Sequence, residues 1–197
     1  MRTILWAVAA VALVSAPLAA MTNDFGVFGS YIKPSDADNS FGGGAKLRFG
    51  LLDLRATYFT DLTAKQADDV CPPFCSNSKP KVKFVPLEAG LVFKFSDWAD
   101  QGDQRFQVLS PFVGGGAGYY LLSEVNENDF GHLKNEWGWY ALAGTDVNFN
   151  PHWGLLLEFQ YRRVRGTVTG PASDPNFTKT TLQLGGPGGN VGLVWHF

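Results

Sequence analysis

Apolar and polar positions alternate along most of this chain. Over 153–162 the odd positions are Trp153, Leu155, Leu157, Phe159 and Tyr161, and the even positions include Gly154, Glu158, Gln160 and Arg162. Leu156 is the one large apolar residue on the even side. Over 85–95 the odd set is Val85, Leu87, Ala89, Leu91, Phe93 and Phe95, facing Glu88, Gly90 and Lys94. Over 137–149 the odd set runs from Trp137 and Trp139 to Val147 and Phe149, and Gly138, Gly144 and Asp146 lie between. A period of two is the signature of a strand with one apolar face.

Changes of parity locate the turns. Leu47, Phe49 and Leu51 are apolar up to residue 51, and Leu52, Leu54, Ala56 and Tyr58 after it. Pairing Phe49 with Leu52 leaves Gly50-Leu51 as a two-residue loop, and glycine in its first position suits a type II′ hairpin. The same reasoning pairs Phe149 with Trp153 across Asn150-Pro151-His152, where proline ends the strand and asparagine favours the turn. The pattern predicts eight strands: 25–33, 43–50, 52–60, 82–95, 106–122, 137–149, 153–164 and 180–197. Gly114-Gly115-Gly116 and Gly118 in the fifth predict a bend or close packing. Gly185-Gly186-Pro187-Gly188-Gly189 in the last predicts a bulge or break, because apolar parity shifts from Leu182/Leu184 to Val191/Leu193.

An even strand count puts both termini and the connections after strands two, four and six at one end. Two of those three are turns of two or three residues, and the third spans about 96–105. The connections at the other end, 34–42, 61–81, 123–136 and 165–179, are mostly longer. Short inner turns with longer outer loops are the layout of a transmembrane barrel.

The two faces decide between a soluble and a membrane barrel. A soluble barrel such as a lipocalin is also eight-stranded, but buries its apolar face, and that family's Gly-x-Trp motif is not matched at Asp24-Phe25-Gly26-Val27-Phe28-Gly29. Here the apolar face is broad and nearly free of charge. The mixed face carries Lys46, Arg48, Asp53, Arg55, Glu88, Lys94, Asp146, Glu158 and Arg162. Eight strands leave an interior just wide enough for side chains to fill, and charges of both signs can pair there. The reading is an all-β, eight-stranded antiparallel up-and-down transmembrane β-barrel. Arg48, Arg55, Glu88, Glu158 and Arg162 are expected to form a charge network in its lumen. Trp98, Trp137, Trp139, Trp153 and Trp195 near strand ends suit interfacial girdles.

The two ends of the chain agree with export. Residues 1–20 have a charged start, an apolar run over 4–14 and a small-residue end, as a secretory signal peptide does. The apolar run is shorter than the roughly 20 residues of a spanning helix. Cleavage is expected after Ala20, leaving 21–197 as one barrel domain. The near-balanced charge, −2 at pH 7, gives no case for a nucleic-acid partner. Cys71 and Cys75 fall in an outer loop of an exported chain, where disulfides persist, and Cys71-Pro72-Pro73-Phe74-Cys75 reads as a disulfide-stapled loop. Two cysteines without a neighbouring histidine give no metal site, and no cofactor is expected.

The tail Val191-Gly192-Leu193-Val194-Trp195-His196-Phe197 resembles the closing strand of bacterial outer-membrane barrels, whose terminal aromatic is an assembly signal. By that resemblance, Trp195 and Phe197 are expected to be read by the barrel assembly machinery. The stretches 109–119, 138–147 and 153–162 are similar to small OmpA-like and opacity-type outer-membrane barrels, and the likeness covers the whole chain after the signal. The family's C-terminal peptidoglycan-binding domain has no counterpart before Phe197. The resemblance implies a stand-alone barrel in the outer membrane of a Gram-negative-type envelope, with membrane lipid as its surroundings.

Fold alone does not give function. His132, His152 and His196 are isolated, and the histidine-serine spacing of the barrel-shaped lipid A deacylases is not met: two places beyond the first two stand Lys134 and Gly154, and nothing follows the third. The chain is therefore read as non-enzymatic. The expected role is surface contact, adhesion or envelope integrity, through a surface partner at the outer loops. The alternatives are an OmpW-like barrel passing small hydrophobic molecules through an opening near 185–189, and a lipid-modifying enzyme of the outer leaflet.

Overall fold

The computed structural model describes residues 23–63, 81–95, 108–124, 134–168 and 180–197. Its strands are β1 (Asp24–Ile32), β2 (Ser40–Phe49), β3 (Leu52–Thr63), β4 (Lys81–Lys94) and β5 (Leu109–Glu124). They continue with β6 (Glu136–Asn148), β7 (Trp153–Arg163), β8 (Arg165–Val168), β9 (Thr180–Gln183) and β10 (Pro187–His196). Eight of them close a barrel in the order β1-β10-β7-β6-β5-β4-β3-β2, with β2 returning to β1. Every pairing is antiparallel. A closed ladder has no edge, so its backbone groups are satisfied without water.

The period-two pattern sets the facing. Phe25, Leu47, Leu54, Leu87, Leu91, Trp139, Phe159, Val191, Leu193 and Trp195 all point outward and stand exposed. The charged positions between them are buried. An apolar outside around a charged inside is the arrangement of a barrel that sits in a membrane.

The turns follow their residues. Phe49 pairs with Leu52 and Gly50 takes φ 58°, the positive value that a primed turn needs at that position. In the β6–β7 turn the Asn150 side-chain oxygen accepts from the backbone N–H of His152 at 2.9 Å and of Trp153 at 2.8 Å. The glycines of β5 do not bend it, because the β4–β5 register runs unbroken from Val82↔Glu124 to Lys94↔Phe112. They allow close packing.

The last predicted strand is two elements. β9 pairs with β8 in the register of the β7–β10 ladder, Arg165↔Gln183 following Tyr161↔Pro187. In between, Arg162 N–H donates to Gly186 O at 3.0 Å and Leu184 N–H to Val164 O at 3.2 Å, and β10 closes the barrel against β1. The parity shift there has a different origin from a bulge. Leu184 and Asn190 both face inward and are buried. What changes is the lumen, which turns from polar to apolar toward the loop end. The segment after β1 crosses this region: Lys33 N–H donates to Pro187 O at 2.9 Å, and Asp38 N–H to Thr63 O at 2.8 Å. Ala37 is thereby fully buried beside Phe59 and Leu62. A side chain at Gly186 would overlap the Lys33 carbonyl, so glycine is required at this crossing.

Candidate functional site in the lumen

The inner surface holds five cations, Lys46, Arg48, Arg55, Lys94 and Arg162, and five carboxylates, Asp24, Asp53, Glu88, Asp146 and Glu158, all buried. Isolated charges in such a place would each cost several kcal/mol. Instead they form a continuous chain. At the terminal end Asp24 takes Lys94 at 2.6 Å, Arg48 at 3.0 Å and His196 Nδ1 at 2.6 Å. Lys94 also reaches Asp146 at 3.0 Å, and Arg48 lies 3.5 Å from Asp53. Arg55 donates to Asp53 at 2.7 Å and grips Glu158 with two guanidinium nitrogens at 2.7 and 3.2 Å.

Uncharged amides carry the chain onward. Asn190 Nδ2 donates to Glu158 at 2.6 Å and to Gln160 at 3.1 Å, and Gln160 Nε2 donates to Glu88 at 2.9 Å. Glu88 then accepts from Arg162 Nε at 2.8 Å, Arg162 Nη2 at 3.2 Å and Tyr120 OH at 3.0 Å. A carboxylate with four donors from three side chains is close to saturated. Lys46 differs: its Nζ has no hydrogen-bond acceptor among the described residues and lies 5.2 Å from the Phe112 ring centroid.

Two apolar layers complete the filling. Phe28, Val92, Phe112, Tyr140, Leu142 and Leu156 pack together. At the loop end Ile32, Phe59, Leu62, Val82, Phe84, Leu122, Val164 and Leu184 join Tyr120 and Ala37. Phe59, Phe84 and Tyr120 stack with centroids 5.7 and 5.6 Å apart, and the Arg162 guanidinium lies 5.4 Å from the Phe59 centroid. The Tyr120–Glu88–Arg162 group thus joins the ionic chain to the apolar cap.

Inward glycines make room for the large residues. A Cβ at Gly144 would come within 2.7 Å of the Phe112 ring, one at Gly138 within 2.8 Å of the Tyr120 ring, and one at Gly44 within 2.8 Å of the Phe28 ring. Small positions facing large ones are how narrow barrels fill their interior.

The described residues of the expected charge network all face the lumen. Arg55 with Glu158 and Arg162 with Glu88 are direct pairs, whereas Arg48 engages Asp24 and Asp53. Trp195 faces outward opposite Trp153 and Phe25. Phe197 N–H donates to Asn23 O at 3.0 Å, and its ring meets Phe49 edge-on at 6.5 Å. Cys71, Cys75, Trp98 and residues 1–20 lie outside the described residues. The sequence reading left out Asp24, Tyr120, Gln160 and Asn190, and it took His196 as isolated. Asp24 and His196 are direct partners across the closing seam, a relation that only the barrel register creates.

A family model described as the outer membrane protein beta-barrel domain matches residues 6–197. No curated protein sequence matches the chain. Among solved structures, the outer membrane protein OprG of Pseudomonas aeruginosa superposes with TM-score 0.63 at 15% identity, over 90% of this chain and 96% of that one. Neisserial surface protein A superposes with TM-score 0.58 at 14% identity, over 89% and 97%. The Escherichia coli outer membrane protein W gives TM-score 0.53 at 13% identity, over 90% and 98%. At such identities the likeness is one of fold.

Proposed function

Since the chain belongs to the outer membrane protein β-barrel domain family, we propose that it is a non-enzymatic, closed-lumen barrel acting at the cell surface. Its export signal over 1–20 is removed, and its work is done by the connections 61–81, 123–136 and 165–179, in surface contact, adhesion or envelope integrity. A Cys71–Cys75 disulfide pins the first of these. The observation that carries the reading is the state of the lumen. A water-filled pore would leave its wall charges wetted, yet Arg48 is 0% exposed, Lys46 1% and Arg162 1%.

The test has two arms. In planar bilayers the barrel is expected to give no stable ion-conducting steps, and replacing the three connections with short turns is expected to abolish surface binding while leaving a folded barrel. Steady conductance in the intact protein, or undiminished binding after loop replacement, would reject the proposal.

One feature favours a second reading, the passage of small hydrophobic molecules. The loop-end third of the lumen is apolar, from Ile32 and Phe59 to Val164 and Leu184. An apolar molecule entering from outside would meet this apolar lining above the Glu88–Arg162 pair. Lipid or detergent density among Phe59, Phe84 and Leu122 in a bilayer structure would decide for it.

Trp195 and Phe197 serve as the signal for the barrel assembly machinery. Deleting Phe197 is expected to lower the outer-membrane level several-fold while synthesis is unchanged, measured by quantitative blotting of membrane fractions. Normal accumulation of the deletion would show that the tail is not read.

A further inference from the structure

One seam of the barrel differs from the rest. Neighbouring strands follow one another in the chain, β7 and β10 by way of β8 and β9, except at the seam of β1 with β10. No turn aligns these two, so their register depends on side chains. The apolar pattern alone tolerates error there. A slip of two residues leaves each side chain on its own face, and Phe25 and Val27 would still lie opposite apolar residues of β10. Gly26, Gly29, Gly188, Gly189 and Gly192 present no side chain to resist it. Gly192 makes room for Phe28 but offers no directional contact. A slip would change the stagger of the whole barrel, and with it the fit of side chains in the lumen.

The directional contacts of this seam come from the last two residues. Inside, His196 Nδ1 lies 2.6 Å from Asp24 Oδ1, and Nε2 lies 2.9 Å from Asn148 Oδ1. Asp24–His196 is the one side-chain hydrogen bond between β1 and β10 among the described residues. Ser30 Oγ, opposite Asn190, makes none there. Outside, Phe197 carries the ladder one residue further, its N–H donating to Asn23 O at 3.0 Å. The registers on the two sides of β1 put Phe49, Asn23 and Phe197 in one row. Across that row the rings of Phe49 and Phe197 meet edge-on, 6.5 Å between centroids, and the Trp195 ring lies 5.1 Å from that of Phe197. Adjacent residues thus hold β1, β2 and β6 from opposite faces of the wall.

We propose that His196 and Phe197 form a register lock for barrel closure. A two-residue slip in either direction takes His196 from Asp24 and Phe197 from the Asn23 row, so both halves release together. Asp24 would then face Val194 or overhang the end of the chain. Only the observed register satisfies the lumen contact and the lipid-side contact at once.

The test uses no assembly machinery, so its outcome is independent of whether the tail is also an assembly signal. The chain, with Cys71→Ser and Cys75→Ser, is refolded from urea into lipid vesicles and oxidised, and crosslinks are read on non-reducing gels. Val27→Cys/Leu193→Cys reports the observed register, since directly opposite residues are within disulfide reach. Val27→Cys/Val191→Cys and Gly29→Cys/Leu193→Cys report the two slipped registers. The parent should crosslink almost wholly through the first pair. His196→Ala should raise the slipped crosslinks about tenfold or more, the factor expected for losing a hydrogen bond to a charged group. Phe49→Ala should raise them about fivefold, as for one aromatic pair. Phe49 lies on the lipid face, so this variant leaves the lumen packing intact. Val194→Ala removes a buried apolar contact from the same seam and should stay in register. Gel mobility that changes on boiling shows that each variant has closed. Crosslinking through Val27 and Leu193 alone in both His196→Ala and Phe49→Ala, or as much slip in Val194→Ala as in His196→Ala, would overturn the proposal.

Discussion

Glu88→Ala is expected to destabilise the barrel by about 3–5 kcal/mol, the cost of stripping one partner from a buried ion pair. Glu88 is 3% exposed and accepts from Arg162, Gln160 and Tyr120. Its loss strands the buried Arg162 guanidinium beneath the Phe59–Phe84–Tyr120 stack without its carboxylate partner. Glu158→Ala follows the same logic and is expected to be nearly as costly, since it frees Arg55 and the Asn190 amide, although Asp53 keeps a hold on Arg55. The measurement is the urea unfolding midpoint in lipid vesicles. A companion variant separates the pair from the site: Glu88→Leu/Arg162→Met removes both charges and should recover most of the loss, because apolar replacement of a buried pair is often close to neutral. A Glu88→Ala midpoint within about 1 kcal/mol of the parent would mean that the lumen is wet, and the closed-lumen reading would fall with it.

That reading rests on features of unequal visibility in the sequence. The facing of Trp153–Arg163 and of the β4 row was legible because alternation of Leu, Phe and Trp with Glu, Gln and Arg is a local signal. The Gly50-Leu51 turn was legible for the same reason. The β8–β9 hairpin was not. Arg165–Val168 and Thr180–Gln183 are four residues each, too short for periodicity to show. The apolar cap misled the parity argument directly. Once Leu184, Val164 and Ile32 point into the lumen, apolar no longer means outward, and a change of surroundings looks like a slip of register. The Asp24–His196 contact is invisible for a further reason: its partners are 172 residues apart and meet only when the first and last strands close. In the site, the charges could be assigned to one face from the sequence, but their partners follow from shear between strands, which no single strand encodes.

Gly116→Val is expected to prevent closure of most molecules, with a loss of at least about 3 kcal/mol, the upper range for overpacking a tight interior. Gly116 on β5 faces inward opposite Gly90 on β4 and Tyr140 on β6. A Cβ there would overlap the Ala89 carbonyl oxygen and the Gly90 Cα, which are backbone atoms of the neighbouring strand. No side-chain rotation relieves such a clash; β4 and β5 would have to part in the middle of their ladder. Gly90 is equally constrained, since a Cβ there would meet the Tyr140 hydroxyl at 2.5 Å. Space alone distinguishes these positions from Gly43, where an added Cβ would find only the Phe28 carbonyl at 3.6 Å, an ordinary contact. Gly43→Ala should therefore fold like the parent, or gain a few tenths of a kcal/mol from a less flexible unfolded chain. The readout is the fraction of protein whose gel mobility changes on boiling after refolding into lipid vesicles. Normal closure of Gly116→Val would show that β4 and β5 can separate at this level, and a wall that yields there would let the inner charges reach water or lipid.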